Sequence, residues 1–204
     1  MQAYGLHLTN LSHKPQHDHR LCAVETPEGH VCGSVKHLAL FADVALGITD
    51  NARLLRVLVD EGGLDPGGFT RIMGIDGCSS LVLLNGVPVG TTDAPVELVR
   101  HVRTWRSAGR FPQELGVSHI HVTLVDEVRL FTDTGRLMAY YLTLNPDTGL
   151  PVITCDVLAG VHDGRVSFSQ LVRDGYVVTL CSQGVANLRV AYSIKEIYAP
   201  DAPK

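Results

Sequence analysis

The chain has 204 residues, 45% of them hydrophobic and 19% charged. A chain of this length buries roughly 70% of its unfolded surface, which points to a globular fold and excludes the disordered and fibrous classes; no apolar run reaches the roughly 20 residues of a membrane span. Lys and Arg total 17 against 21 Asp and Glu, a net charge of −4, which speaks against an autonomous nucleic-acid binder, because phosphate affinity draws on a basic footprint.

Residues Met1 to Asn10 lack a charged head followed by an apolar stretch, so no secretory signal is expected there. Five scattered cysteines (Cys22, Cys32, Cys78, Cys155 and Cys181) fit free thiols in a reducing, intracellular setting better than a disulfide framework. Of ten histidines, His7, His13, His17, His19, His30 and His37 fall before position 40. In Glu25-Thr26-Pro27-Glu28-Gly29, proline and glycine forbid a continuing helix or central strand, so this stretch is expected to be a shaped loop.

Thr49 or Asp50 caps a predicted helix through about Glu61, with Leu54, Leu55, Leu58 and Val59 on one side and Gly62-Gly63 stopping it. Leu81 to Leu84, the turn Asn85-Gly86 and the resumption at Val87 predict a β-hairpin, with Pro88 assigning its second arm to an edge. From Pro95, the spacing of Val96, Val99, Val102 and Trp105 or Arg106 predicts an amphipathic helix ending at Gly109. Arg100, Arg103 and Arg106, extended by Arg110, give it a basic face that is either simply solvated or a docking surface for acidic protein or nucleic acid.

In the second half the period changes. His119 to Val125, Val128 to Thr132 and Leu137 to Thr143 read as strands, and Asp133-Thr134-Gly135 predicts a hairpin turn between the last two. Asn145 to Gly149 reads as a further turn and Val152 to Leu158 as a strand. Ser167 caps a short helix over Phe168 to Arg173 that Gly175 ends, strands follow at Val177 to Cys181 and Leu188 to Ile194, and Ala199 to Lys204 reads as a tail. The chain is thus expected to be α+β, with mainly antiparallel strands and short helices in small linked subdomains.

His13, His17, His19, Cys22, His30 and Cys32 carry zinc's ligand types, but only His17-x-His19-x-x-Cys22 and His30-x-Cys32 approach the paired spacing of structural sites, and polar loop histidines are the alternative. The common self-contained nucleophile and phosphate-loop motifs are absent, and Cys78-Ser79-Ser80 reads as a turn into a strand rather than a reactive thiol. Asp126 and Glu127 occupy adjacent, opposite-facing strand positions and form no dyad. There remains the Glu25 to Gly29 loop, in which a proline fixes two carboxylates near a phosphate, a cation or a basic partner.

Around that loop, Arg20-Leu-Cys22-Ala-Val-Glu25-Thr-Pro-Glu-Gly29-His-Val-Cys32-Gly33-Ser-Val35-Lys36-His-Leu38-Ala-Leu40 resembles the fork-region signature of the second-largest subunit of multisubunit DNA-dependent RNA polymerases, in its eukaryotic, archaeal and large-DNA-virus branch. The helix before Gly63-Leu64, the Asn85-Gly86 hairpin and the Arg-bearing helix resemble that family's first external domain. Phe131-Thr132-Asp133-Thr134-Gly135-Arg136 is similar to its Phe-Thr-Asp-x-Gly-Arg signature, and Phe168 to Val177 is similar to the second external domain. The chain departs from the pattern at Ala23, Ser34, His37 and Ala139-Tyr140.

The resemblance implies four parts: the end of a fork-like region (1–47), an external-1-like domain (48–116), a hairpin with an external-2-like domain (117–198) and a tail (199–204). It implies a fragment of the subunit that serves template-directed RNA synthesis within the assembled enzyme and holds no catalytic residue itself. Glu25, Thr26, Pro27, Glu28 and Gly29 would lie near the active centre, the carboxylates orienting Arg or Lys side chains, with Lys36 as the local cation. This chain would bind no metal or cofactor, the magnesium belonging to the assembled polymerase. Expected partners are the largest subunit and the rest of the second-largest one, with DNA template, RNA and NTPs met only in the assembly, no membrane, and a nuclear or viral transcription site. The alternatives are a stand-alone protein-interaction module derived from the external domains and a His/Cys metal binder.

Overall fold

In the computed structural model two β-sheets share the chain, and the structure describes residues 19–22, 24–67, 79–122, 125–145, 148–185, 188, 190 and 191. The first unit begins with α1 (Asn51–Asp60). The Asp50 carboxylate accepts the Arg53 N–H at 3.0 Å, satisfying one of the amides that a helix start leaves open. Leu54 and Leu58 are fully buried while Val59 is 42% exposed, so the apolar face is narrower than predicted. Gly63, at φ +73°, turns the chain away as a left-handed residue after a helix does.

The hairpin of β2 (Ser80–Leu84) and β3 (Val87–Thr92) forms as predicted. Asn85 and Gly86 both hold positive φ, 51° and 82°, the requirement of a tight turn matched to strand twist. β4 (Gly116–Val122) and β5 (Val125–Phe131) form a second antiparallel pair, β5 joins β2 in parallel, and the order β3-β2-β5-β4 leaves Pro88 on an edge. α2 (Pro95–Ser107) and α1 pack with this sheet, enclosing Leu54, Leu58, Val82, Leu98, Val102 and Leu130 in one core.

The second sheet joins β1 (Ala42–Val44), β6 (Leu137–Leu142) and β7 (Val177–Cys181), antiparallel in the order β1-β6-β7. Three helices accompany it: α3 (Cys155–His162), α4 (Phe168–Arg173), capped by Ser167 Oγ accepting the Gln170 N–H, and α5 (Ser182–Val185). The architecture is α+β with one parallel pairing. No helix among the described residues is long and apolar enough to cross a membrane.

Three expectations are corrected. Asp133-Thr134-Gly135 does not close a hairpin, because β5 and β6 belong to different sheets. The backbone there is claimed by distant partners: the Thr132 N–H donates to Asn85 Oδ1, the Ile48 N–H to the Thr132 carbonyl and the Ala45 N–H to the Arg136 carbonyl. The predicted strand at Val152 to Leu158 gives way to α3, which begins after Thr154 with Asp156 in its first turn, where a carboxylate favours the helix dipole. The basic face of α2 also breaks up. Arg106 is 4% exposed and donates to the Leu115 carbonyl at 3.0 Å and the Thr179 carbonyl at 3.5 Å, tying the two sheet units together. Burial first, then the neighbouring Arg103 charge, pushes its guanidinium down to about 10. Arg100 pairs with Glu97, and Arg110 grips Glu61 with both nitrogens at 2.5 and 2.6 Å beside the Trp105 ring. Of the predicted strand Leu188 to Ile194, only residues 188, 190 and 191 are described, none in a strand; the tail and Cys78 lie outside the described residues.

Candidate functional site

The Glu25 to Gly29 loop is built on a closed base. The Cys22 N–H donates to the His37 carbonyl and the Ala39 N–H to the Arg20 carbonyl, both at 2.9 Å, with Leu21 facing Leu38. Arg20 anchors that base. Its side chain is 1% exposed, its Nε donates to the Leu137 carbonyl at 3.2 Å and its Nη2 to the Leu180 carbonyl at 2.9 Å. The loop is thereby fastened to β6 and β7, and a rigid guanidinium fork suits two such acceptors.

Inside the loop, Thr26 Oγ1 accepts the Gly33 N–H at 2.8 Å, and Cys22 Sγ accepts the Glu25 N–H at 3.3 Å. Pro27 is half-buried and Glu28 is extended. A 3-10 turn over Gly29–Val31 follows, closed by the Cys32 N–H donating to the Gly29 carbonyl. Gly29 sits at φ +79° with nothing within 4 Å of where a Cβ would stand, so glycine serves the backbone's sign and not a lack of space. The loop is shaped, as expected from its proline and glycine.

Its carboxylates point outward. Glu25 Oε1 lies 3.6 Å from His37 Nδ1, with both side chains largely exposed. His37 is thus the side chain beside Glu25, while Lys36 and Glu28 are solvent-facing. Exposed apolar side chains accompany the loop along the chain: Val24 is 81% exposed, Leu40 92%, Phe41 65% and, further on, Leu46 82%. Of the predicted zinc ligands, His13 and His17 lie outside the described residues. His19, Cys22, His30 and Cys32 are not among the groups of side chains close enough to share an ion; His119, His121 and Asp126 on β4 and β5 are.

Comparison with known proteins places the loop within a family match. The family model described as RNA polymerase Rpb2, domain 3, matches residues 12–44, the stretch that holds the loop and β1, and the model of Rpb2, domain 4, matches residues 82–143, from the first hairpin to β6. The chain belongs to the Rpb2 family of RNA polymerase subunits. It is 30% identical over 197 residues to DNA-directed RNA polymerase subunit Rpo2 of Saccharolobus solfataricus, covering 89% of this chain and 16% of that protein. With RNA polymerase II subunit RPB2 of Encephalitozoon cuniculi it shares 29% identity over 77% of this chain and 13% of the relative, and with that of Meyerozyma guilliermondii 37% over 57% and 9%. The chain therefore spans about a sixth or less of the length of these relatives.

Sequence reasoning missed two features here. Arg20 entered it as the first letter of a motif, and no local signal separates a buried arginine from an exposed one, since arginine is rarely buried in full. The grouping of His119, His121 and Asp126 was available from alternation on one strand, but only the β4–β5 register brings the carboxylate to the two imidazoles.

Proposed function

We propose that this chain serves in template-directed RNA synthesis as part of the second-largest subunit of a DNA-directed RNA polymerase. It acts by shaping and supporting the assembled enzyme, not by carrying a catalytic residue. The observation that supports this reading best, alongside the family match, is the apolar surface at Val24, Leu40, Phe41 and Leu46. Val24, Leu40 and Phe41 lie on the segment that the Rpb2 domain 3 model matches and Leu46 just beyond it, and exposed apolar residues gathered along one segment suit an interface. The remaining parts of the second-largest subunit and the largest subunit are the proposed partners. DNA, RNA and NTPs are met in the assembly.

The Glu25 to Gly29 loop then works as a positioning element. Anchored by Arg20 and braced by Thr26, it presents Glu25 and Glu28 to basic side chains of the surrounding enzyme, with Lys36 and His37 at its closing end. Magnesium, which such a polymerase implies, calls for convergent oxygen ligands. The described residues do not fit that demand: Glu25 and Glu28 are exposed on the loop, and the one grouped set is rich in nitrogen. The ion's carboxylates are accordingly proposed to come from elsewhere in the enzyme.

Co-purification tests this. The chain is expected to be recovered with larger polymerase polypeptides, and Leu40→Asp with Phe41→Asp should cut that recovery by at least about tenfold, ~1.4 kcal/mol of association, while leaving the melting of the isolated chain unchanged. Recovery as a lone, cooperatively melting monomer would overturn the assembly and favour the stand-alone interaction module.

A further inference from the structure

The β4–β5 hairpin carries a constellation that the polymerase reading does not use. His119 and His121 stand two residues apart on β4, which puts both imidazoles on one face of the sheet. Asp126 on β5 lies directly opposite His121 in the antiparallel register, and diagonally from His119, which faces Val128. Asp126 Oδ1 is 2.6 Å from His119 Nε2 and 3.5 Å from His121 Nδ1. One ligand atom from each of the three residues lies within 4.8 Å of the others.

The carboxylate is held in place from a third strand. Ser80 Oγ, on β2, donates to Asp126 Oδ2 at 2.5 Å, leaving Oδ1 turned toward the imidazoles. Burial alone would raise the Asp126 carboxyl, but hydrogen bonds from Ser80, His119 and His121 outweigh it and hold the group below its ordinary value of 3.8. A carboxylate oxygen flanked by two imidazoles is a set of donor atoms that one cation can share.

We propose that His119, His121 and Asp126 form a binding site for a divalent transition-metal ion, zinc above all, with a fourth coordination position open to solvent. Three considerations carry it. Imidazole with carboxylate suits zinc, copper or nickel, whereas magnesium and calcium want oxygen alone. Tetrahedral zinc at about 2.0–2.2 Å from each ligand sets the ligand atoms roughly 3.3–3.5 Å apart, so the metal enters by parting the His119–Asp126 pair by about 1 Å and swinging the exposed His121 inward. Ser80 supplies the outer hydrogen bond that such ligands characteristically receive. His119 is sheltered, its side chain 23% exposed, while that of His121 is 77% exposed, so the site is rigid on one side and accessible on the other. Three protein ligands with an open position is the form of a zinc site that takes a further ligand, a water or a donor from a neighbouring molecule.

The test uses the full chain without an affinity tag, dialysed free of metal, and titrated with Zn2+ and with Co2+ as a spectroscopic probe. One equivalent should bind, giving a tetrahedral cobalt spectrum without a thiolate charge-transfer band. Ser80→Ala should weaken binding by about tenfold or more, as loss of an outer-shell partner does, and His121→Ala and His121→Gln by at least as much. Because the His121 side chain is exposed, both variants should keep the wild-type melt in chelator, and zinc should raise the melting temperature of the wild type alone. Unchanged affinity in the His121 variants would overturn the site. So would a thiolate band that disappears with Cys22→Ser or Cys32→Ser, which would assign the ion to the N-terminal His/Cys segment. Failure of the polymerase reading would show in co-purification and leave these titrations as they are.

Discussion

The two sheet units are built on different terms. Among the described residues, fourteen buried apolar residues form one cluster around the four-stranded sheet; around the three-stranded sheet the corresponding cluster has three, Ala45, Met138 and Cys181, with Phe131 packed against it. The first unit closes on itself, helices over sheet. The second is held by polar ties, two of which reach in from outside the sheet: Arg20 to the Leu137 and Leu180 carbonyls and Arg106 to the Thr179 carbonyl, with Tyr140 to Asp43 joining β6 to β1 within it. Its neighbouring segment keeps Leu40, Phe41 and Leu46 in solvent. A small core cluster beside exposed apolar surface is in keeping with the proposed place of this chain in a larger enzyme.

The sharpest test of that contrast is truncation on each side of it. Leu58→Ala, in the large core, should cost about 2–5 kcal/mol by chemical denaturation, the range for a buried leucine that leaves a cavity. Leu40→Ala should stay within about 0.5 kcal/mol of wild type, as exposed positions do. Equal costs would mean that the two regions do not differ in the way described.

Next in size is the anchor of the loop. Arg20→Met keeps the length of the side chain and removes both hydrogen bonds to β6 and β7 carbonyls, which should cost about 1.5–3 kcal/mol per the usual worth of bonds to a charged group. Amide exchange should accelerate at Cys22 and Ala39, whose N–H groups close the loop's base, and stay as it was in α1. Acceleration spread over both units would make Arg20 a general stabiliser instead of a local one.

The smallest effects separate the units by pH. The Tyr140 hydroxyl donates to Asp43 Oδ2 at 2.6 Å, and that bond, with burial, pushes its pKa up from 10 to about 12. A raised value means that the folded form holds the proton more tightly, so this contribution is complete below pH 10 and is lost between about 10 and 12. Asp126, held below 3.8, contributes above that pH and loses its contribution as pH falls through its lower folded value. Alkaline loosening should therefore begin in the three-stranded unit and acid loosening in the four-stranded one. Melting temperature against pH should lose its alkaline slope between pH 10 and 12 in Tyr140→Phe and its slope below pH 4 in Asp126→Asn. A Tyr140→Phe profile identical to wild type would remove Tyr140 from the account.

What the amino-acid sequence determined by itself is whatever a few neighbouring residues settle. Asp50 and Ser167 cap their helices, Asn85-Gly86 turns its hairpin, Pro88 stays on an edge and Pro27 with Gly29 shapes the loop, each through a bond or dihedral that closes within the segment. The family signature around Glu25 to Gly29 was legible for the same reason. The tertiary structure alone decided which strands share a sheet, since the amides and carbonyls of 132–136 are equally ready for a hairpin and are taken by Asn85, Ile48 and Ala45. It alone decided that Arg106 is a buried tie and Arg20 an anchor, the latter bonding a carbonyl 160 residues away. It also gathered His119, His121 and Asp126, which one strand's alternation could align but only cross-strand register could bring together. Local chemistry sets backbone direction within a turn or two; partner choice depends on which distant groups the whole fold brings to an open donor or acceptor.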